Sequence, residues 1–415
     1  MDRNNYGSYF LMDTKDIPGY IKSKAGFFGN DEALTVEEIG DGDVNYIFRV
    51  RGAGKSLIIK QAGRVTRLDP TWKLSTDRGR IEAEYLAVQR KLTPGSVPEI
   101  YLYDPVMCAI IMEDLSDYTP LRKALLERRR VPAFADLFST YLVNALIFTS
   151  DVAADHLQKK EMVKQFTSPQ MCDIFEKLRN TEPFIDMYNR NRILPENLDF
   201  VRREFYEDKG LHLEAAKLKF EFMNKPQALI HSDLHTGSVF VREDSIKVFD
   251  SEFAFFGPMG VDPGNFTAHL FFAWANADAE PEQTADILDF KQWLLDMVEE
   301  FFALFTAKFK AVFNANAADA LAKTPGFCEW YLNNLLVEAA GVCGLEMARR
   351  TIGLSHIEDL AGIADEKRRA RVERIVLRLA KLLILNRYRV VNGAGYTLLL
   401  RQAVDDEKKN NQVRP

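Results

Sequence analysis

One segment constrains the possible folds of this chain more than any other. It is a loop with a single carboxylate, followed by a hairpin that ends in two further carboxylates. The loop is His-Ser-Asp-Leu-His-Thr-Gly-Ser at 231–238 and contains Asp233. The runs 239–241 and 246–249 read as short strands, and the turn-forming residues between them predict a β-hairpin. The hairpin should carry the triplet Asp250-Ser251-Glu252 back beside the loop.

This arrangement suits phosphoryl transfer. That reaction needs a carboxylate to orient and finally deprotonate the attacking hydroxyl, and separate oxygen ligands to hold Mg²⁺ against the nucleotide phosphates. Asp233 is the candidate for the first role. Asp250 and Glu252 are the candidates for the second, because residues two apart in extended backbone point to one face. Each acid alone is more typical of a solvated surface, but the ordered set of strand, loop, hairpin and acidic pair favours a phosphotransferase.

A nucleotide-binding half is predicted upstream of this loop. A turn rich in Gly and Asp at 40–43 precedes the strand-like run 44–50, and its glycines would let backbone N–H groups approach phosphates, although most such turns are ordinary hairpins. The next strand ends near Lys60, whose ammonium group could reach the phosphates. The helical pattern that follows offers Glu84, and as second choice Glu82, to orient this lysine. Strand, lysine, helix and glutamate in that order indicate the nucleotide-binding half of a kinase-like fold.

These residues resemble the methylthioribose kinase family, part of a broad group with protein-kinase-like folds that also contains choline kinases and aminoglycoside phosphotransferases. The strongest similarity covers 228–262, where the loop is followed by Asp-x-Glu-Phe-Ala-Phe-x-Gly-Pro-Met-Gly-x-Asp. The sibling families usually carry Asn in place of Ser238 and lack the Gly-Pro-Met-Gly run at 257–260. The resemblance continues over nearly the whole chain, at 38–42, Trp72, Asp77-Arg78, 97–99, 112–115 and 349–353.

The resemblance implies an α+β, bilobal protein-kinase-like fold. A small β-rich N-terminal lobe, residues 1–115, would bind the nucleotide, and a large, mostly helical C-terminal lobe, residues 116–415, would carry the catalytic and substrate sites. The implied reaction is ATP- and Mg²⁺-dependent phosphorylation of the anomeric hydroxyl of 5-methylthioribose to the 1-phosphate, in methionine salvage. The family also suggests a homodimer.

The family's residue roles transfer to the matching positions. Asp233 corresponds to the catalytic base, Asp250 and Glu252 correspond to the metal ligands, and the twin arginines lie at the sugar site. The implied nucleotide-binding residues are Gly40, Asp41, Gly42, Asn45, Lys60, Glu113, Asp114 and Leu115. The implied substrate-binding residues are Asp233, His235, Arg349 and Arg350. Structural or loop roles are expected for Glu84, Trp72, His231 and Ser238.

Two histidines flank the candidate base. His231 and His235 are four residues apart, a spacing that would suit a zinc pair on a helix, but the segment reads as strand then loop. We therefore expect His231 to brace the loop and His235 to approach the sugar. Three positions depart from the family's usual residues: Asp43 replaces Asn, Ser232 replaces Gly and Ser251 replaces Pro. An anion at 43 would oppose phosphate binding unless it points away or meets a cation.

Composition excludes several other classes. A chain of 415 residues with 47% hydrophobic content can bury a large core of two or three domain-sized units. The net charge of −6 argues against a nucleic-acid-binding protein. The 4 cysteines show no Cys-x-x-Cys spacing, which favours a reducing compartment over a zinc or disulfide framework. No apolar signal core or membrane-length apolar run is evident, so a cytoplasmic location without a membrane partner is expected.

One helix is predicted near 78–92 in the N-terminal lobe. From Leu121 onward helical periodicity dominates, with helices predicted near 133–153, 281–313, 329–350 and 366–389. Two alternatives remain open: a related kinase acting on an aminoglycoside, choline or a homoserine-like alcohol, and a nucleotide-binding regulator without turnover. The arginine pair Arg349-Arg350 would repel cationic substrates, whereas the departures at Asp43 and Ser232 prompt the second alternative.

Overall fold

A computed structural model describes residues 6–24, 26–39, 44–65 and 72–413, without the side chains of 170–173 and 410–413. The predicted phosphate turn, with Gly40, Asp41, Gly42 and Asp43, lies outside the described residues. The chain divides into two compact units. The first comprises Met1–Tyr118 and Lys247–Ala254, and the second comprises Thr119–Ile246 and Phe255–Pro415.

The first unit is built on a five-stranded antiparallel sheet. The strands are β1 (Thr35–Glu38), β2 (Asn45–Gly52), β3 (Lys55–Ala62), β4 (Ile100–Asp104) and β5 (Ala109–Glu113), in the order β1-β2-β3-β5-β4. The helices are α1 (Ile17–Ser23) and α2 (Arg78–Leu92). The bounds of α2 confirm the predicted helix, which ends just before a Pro-Gly turn with Gly95 at φ +85°.

Alternation along β3 separates its two faces. Leu57 and Ile59 join one apolar core with α1, whereas Ile58 packs with Ala83 of α2 on the other face. Because side chains alternate along a strand, Lys60 shares the face of Ile58. The sheet therefore presents this lysine to α2, where its predicted acidic partner was expected.

The second unit is mostly helical, with two small sheets. Its strands are β6 (Thr119–Pro120), β7 (Ala228–Ile230), β8 (Val239–Val241), β9 (Ile246–Val248, which enters the first unit) and β10 (Phe255–Gly257). Strand β6 pairs with β8, and β7 pairs with β10. The predicted hairpin forms, and its turn is closed by a hydrogen bond from Arg242 N to Ser245 O of 2.9 Å.

Twelve helices follow α2 in the described part of the chain. They are α3 (Leu121–Leu126), α4 (Phe134–Ile147), α5 (His156–Gln165), α6 (Pro169–Leu178), α7 (Leu198–Val201), α8 (Lys209–Asn224), α9 (Val261–Asp278), α10 (Ala285–Asn316), α11 (Phe327–Ile352), α12 (Glu358–Ala361), α13 (Glu366–Asn386) and α14 (Gly393–Val413). The predicted long helices correspond to α4, α10, α11 and α13. None of the helices in the described ranges has both the length and the apolar content of a membrane span.

Helices α9 and α11 are the buried centre of the second unit. A Cβ added at Gly264 of α9 would lie 2.4 Å from the carbonyl oxygen of Ala339 in α11, so glycine permits this close approach. The last turns of α11, which contain Arg349 and Arg350, are buried rather than solvated. The packing of these two helices thus brings the twin arginines into the interior.

Candidate active site

The loop after β7 is held by the first turn of α9. The carboxylate of Asp262 accepts hydrogen bonds from the backbone N–H groups of His231 and Ser232, each at 2.8 Å. Ser232 has φ +74°, a left-handed conformation that favours glycine. The two bonds to Asp262 compensate for this strain, which explains how a serine occupies a position where the resembled family often has glycine.

Asp233 is bound by both predicted arginines. Its Oδ1 accepts hydrogen bonds from Nη1 of Arg349 at 3.1 Å and from Nη2 of Arg350 at 3.3 Å. The Asp233 side chain remains 13% exposed, so it lies at the edge of the protein interior. The structure therefore brings together the predicted base and the predicted sugar-site pair, which are more than a hundred residues apart in sequence.

Charge in this cluster favours an ionised Asp233. Burial opposes the charge, but Arg349 and Arg350 outweigh it and hold the pKa of Asp233 well below its usual range. Burial also holds the pKa of His235 well below its usual range, so this imidazole is neutral near pH 7. The carboxylate is therefore available as a proton acceptor across the physiological range.

The two loop histidines have separate surroundings. Nδ1 of His235 lies 3.0 Å from Oγ of Ser238, and its Nε2 lies 3.9 Å from Oδ2 of Asp233. His231 is fully buried, and its backbone N–H donates to Asp262. Within the described ranges, the one group of side chains arranged to hold a metal ion contains neither histidine. His235 thus lies beside the candidate base, whereas the bracing role of the His231 side chain and the approach of His235 to a sugar stay predictions.

Three carboxylates converge in the first unit. Nζ of Lys60 lies 2.7 Å from Glu82 and 2.5 Å from Asp250. One oxygen from each of Glu82, Asp250 and Glu252 lies within 4.8 Å of the others. The side chain of Asp250 is 39% exposed, whereas those of Glu82 and Glu252 are buried. Asp250 also has a positive φ of +64°, a conformation that Asp tolerates better than most residues.

Glu82, and not Glu84, is the acidic partner of Lys60. Our preference for Glu84 was wrong, because its carboxylate binds Arg80 at 2.6 Å one turn away on α2. Residues 82 and 84 are about 200° apart around a helix, so only one of them can face β3. The packing of α2 on the sheet buries Glu82 and leaves Glu84 part-exposed.

Glu252 is held by a buried arginine that sequence reasoning did not assign to the site. Arg78 donates from Nε to Oε2 of Glu252 at 3.0 Å and from Nη2 to Oδ1 of Asn45 at 2.9 Å. Nδ2 of Asn45 in turn donates to Glu252 at 2.8 Å. Asn45, predicted to bind the nucleotide, therefore orients a carboxylate of the cluster.

The cluster has a local excess of negative charge, with three carboxylates facing Lys60 and Arg78. Burial opposes the charge of Lys60, but Asp250, Glu82 and Glu252 outweigh it and raise its pKa. Burial raises the pKa of Glu82, and the neighbouring carboxylates add to this effect against the opposing attraction of Lys60. An oxygen-rich site with unbalanced negative charge is the kind that binds a hard divalent cation.

The predicted nucleotide-binding residues at 113–115 form a segment whose charged side chains are engaged in local contacts. Glu113 binds Nζ of Lys247 at 2.9 Å, and Asp114 binds Nε of Arg49 and Oγ of Ser56. Leu115 is buried. Base recognition by this segment would therefore depend on backbone groups and Leu115. Trp72 is half-buried, and its predicted role in a loop near the site stays a prediction.

We expect Glu82→Gln to raise the KM for ATP and lower kcat/KM by about tenfold or more, because an amide cannot hold the Lys60 ammonium as a carboxylate does. Steady-state kinetics at varied ATP would measure this. Glu84→Gln is the matched control, since it removes a carboxylate two residues away on the same helix, and it should change neither parameter more than about twofold. A larger effect at Glu84 than at Glu82 would contradict the observed pairing.

Like Arg78, two residues beside Asp233 were not assigned from the sequence: Asp262, and Glu346, which accepts hydrogen bonds from Arg349 and Arg350. Arg78 and Asp262 lie inside motifs that were noted only as parts of a resemblance. Glu346 had a usable signal, because it lies three and four residues before the twin arginines, where helical side chains meet.

Methylthioribose kinases of two bacteria are similar in sequence to this chain over most of its length. It is 36% identical over 386 residues to the methylthioribose kinase of Bacillus pumilus, covering 92% of this chain and 95% of that one. It is 38% identical over 363 residues to that of Exiguobacterium sibiricum, with coverages of 87% and 90%. No protein-family model matches the chain.

Solved structures that align with most of this chain have much lower sequence identity to it. A choline kinase from Cryptosporidium parvum is 12% identical, with a TM-score of 0.45 over 97% of this chain and 98% of that one. A glucosamine kinase is 13% identical, with a TM-score of 0.47 over 90% and 88% of the two chains.

Proposed function

The chain belongs to the methylthioribose kinase family, and we propose that it transfers the γ-phosphoryl group of ATP to the anomeric hydroxyl of 5-methylthioribose. The product is 5-methylthioribose 1-phosphate, an intermediate of methionine salvage. We also propose that the enzyme works in the cytoplasm as a homodimer. Light scattering of the purified protein would test the dimer.

The binding of Asp233 by Arg349 and Arg350 is the observation that carries this proposal. Asp233 lies at the apex of its loop, is partly exposed, and is flanked by two guanidinium groups. This arrangement can bind a polyhydroxyl substrate with one hydroxyl next to Asp233 as the proton acceptor. The guanidinium groups can donate to sugar oxygens and stabilise negative charge on the phosphoryl group in transit. The same pair disfavours cationic acceptors such as choline or an aminoglycoside.

The proton chemistry follows from the low basicity of Asp233. A carboxylate with a depressed pKa is a weak base, so it takes the hydroxyl proton late, after the bond to phosphorus has begun to form. An anomeric hydroxyl is more acidic than an ordinary alcohol, which suits a weak base. Positioning of the hydroxyl and stabilisation of charge therefore account for most of the expected rate enhancement.

The first unit supplies the proposed ATP and Mg²⁺ sites. Lys60 would bind phosphate oxygens, and the segment Glu113, Asp114 and Leu115 would meet adenine. Asp250 and Glu252 would hold Mg²⁺, which when bound neutralises charge on the phosphates. A carboxylate offers two oxygens with several lone pairs, so Glu252 can keep its bonds to Arg78 and Asn45 while it binds a cation.

Arg349→Lys and Arg350→Lys test the sugar site. Lysine keeps the charge but loses the planar fork, so each variant should raise the KM for methylthioribose or lower kcat by at least about tenfold, ~1.4 kcal/mol, with little change in the KM for ATP. Arg374→Lys is the control, because Arg374 binds Glu407 at 2.7 Å in a separate, partly buried cluster that also contains Arg378. If both variants at the twin arginines match the parent, the sugar site lies elsewhere.

A substrate panel in a coupled assay for ADP separates the candidate activities. Methylthioribose should be the preferred acceptor over ribose, choline and an aminoglycoside, and activity should require Mg²⁺. Preference for choline or the aminoglycoside would identify a sibling kinase. Binding of ATP without phosphorylation of any acceptor would identify a regulator.

A further inference from the structure

Glu346 is the most completely buried charged group near Asp233, and the reaction as proposed does not use it. It lies in α11 with no exposed surface. Its Oε1 accepts from Nε of Arg350 at 2.6 Å, and its Oε2 accepts from Nη1 of Arg349 at 3.2 Å. Nε2 of His269 lies 3.4 Å from Oε1. A carboxylate with three partners avoids the large cost of burying an unpaired charge.

Each arginine spans two carboxylates. Arg349 uses the same nitrogen, Nη1, for Asp233 and for Glu346. Arg350 uses Nε for Glu346 and Nη2 for Asp233. Both guanidinium groups are therefore shared between Asp233 and Glu346, and each contacts Asp233 through one nitrogen.

The cluster formed by Asp233, Glu346 and the twin arginines contains equal numbers of carboxylates and guanidinium groups. Asp233 and Glu346 offset the two arginines, and burial lowers the pKa of His269 to about 4, so this imidazole adds no charge near pH 7. Three further titratable groups act on Asp233: His235, which is neutral near pH 7, Arg122, whose Nε lies 3.4 Å from Asp359 of α12, and the buried Arg179. The negative charge of Glu346 acts on Asp233 in the direction that raises its proton affinity, against the two arginines.

We infer that Glu346 is a positioning residue for the proposed kinase reaction: it orients the twin arginines around Asp233, the proposed acceptor of the hydroxyl proton. The inference rests on the proposed function. An ordinary helical pair three or four residues apart is solvated and contributes little. The complete burial of Glu346 and the sharing of both guanidinium groups with Asp233 distinguish it from such a pair.

The test uses Glu346→Gln in the full-length protein. The neutral amide holds the two guanidinium groups more weakly than the carboxylate does, so their orientation toward Asp233 becomes less fixed. We expect kcat for methylthioribose to fall by about tenfold to hundredfold, with the KM for ATP within about twofold of the parent. Glu346→Asp keeps the charge with a shorter reach and should recover part of the lost kcat.

Glu338→Gln is the matched control. Glu338 is a second buried glutamate of α11, and it binds Lys225 at 3.0 Å and the backbone N–H of Gly260 at 2.9 Å. Its loss should lower the melting temperature without a tenfold loss of kcat. An equal loss of kcat in both variants would make Glu346 merely structural and would overturn the inference.

Two measurements distinguish a positioning role of Glu346 from a purely structural role in folding. In a double-mutant cycle, Arg350→Lys should cost much less in the Glu346→Gln background than in the parent, because both changes disturb one unit. Additive effects would overturn the inference. Side-chain NMR of labelled arginine should show hindered guanidinium rotation for Arg349 and Arg350 in the parent and faster rotation in Glu346→Gln and, more weakly, Glu346→Asp.

The NMR measurement does not depend on turnover. If the parent fails to phosphorylate methylthioribose, the proposed function fails, and guanidinium rotation still decides whether Glu346 orients the pair. If the parent is active and the Glu346→Gln variant retains its kcat, the positioning role fails while the proposed function stands. Unchanged rotation in Glu346→Gln would exclude the positioning role whatever the activity.

Discussion

Asp233→Asn is expected to lower turnover by about 10²-fold to 10⁴-fold, the range for loss of a positioned general base, while ATP binding is retained. The amide can still accept a hydrogen bond from Arg349 or Arg350, but it cannot take the hydroxyl proton. Coupled-assay kinetics would measure the loss of kcat, and calorimetry would measure ATP binding.

Asp244→Asn is the control for this variant. Asp244 lies in the hairpin turn, and its side chain is 79% exposed, so its loss should leave kcat within about twofold of the parent. Parent-like turnover of Asp233→Asn, or loss of ATP binding together with activity, would remove Asp233 from the role of base.

Asp250→Asn should act on the nucleotide rather than on the hydroxyl. Asn tolerates the left-handed conformation found at Asp250, so the change removes a charge without a backbone penalty. We expect kcat/KM for MgATP to fall by about 10²-fold or more, since a metal ion contributes several kcal/mol of charge stabilisation. The Mg²⁺ concentration needed for half-maximal activity should rise.

Asp250→Asn and Asp233→Asn should differ in their effect on nucleotide binding. Calorimetry at varied Mg²⁺ should show weakened nucleotide binding in Asp250→Asn and parent-like binding in Asp233→Asn. Asp31→Asn, at an exposed position of the same unit, is the control. An unchanged Mg²⁺ requirement in Asp250→Asn would show that the metal site does not include this residue.

Elements with strong local signals were predicted well from sequence. Helix α2 and strand β8 have the bounds expected from periodicity and turn residues. Such patterns are local, because they express which face of a segment must be buried. The α+β class and the helical character of the second unit follow from the same signals.

The acidic partner of Lys60 could not be identified from local sequence patterns. The inward stripe of α2 includes Arg78, Glu82 and Gln89, which are polar yet buried. Hydrophobic periodicity does not mark the charged positions within a buried stripe, and the preference for Glu84 over Glu82 was therefore wrong. Only the packing of α2 on β3 determined which acid meets the lysine.

By itself, the sequence determined the reaction class, because the acids, the lysine and the loop occur in an order that local structure preserves. Tertiary structure alone decided the partnerships: Asp233 with Arg349, 116 residues apart, and Asn45 with Glu252, 207 residues apart. Charged groups have no intrinsic preference among oppositely charged partners. Burial, which makes an unpaired charge costly, selects the pairs that the fold brings within hydrogen-bonding distance.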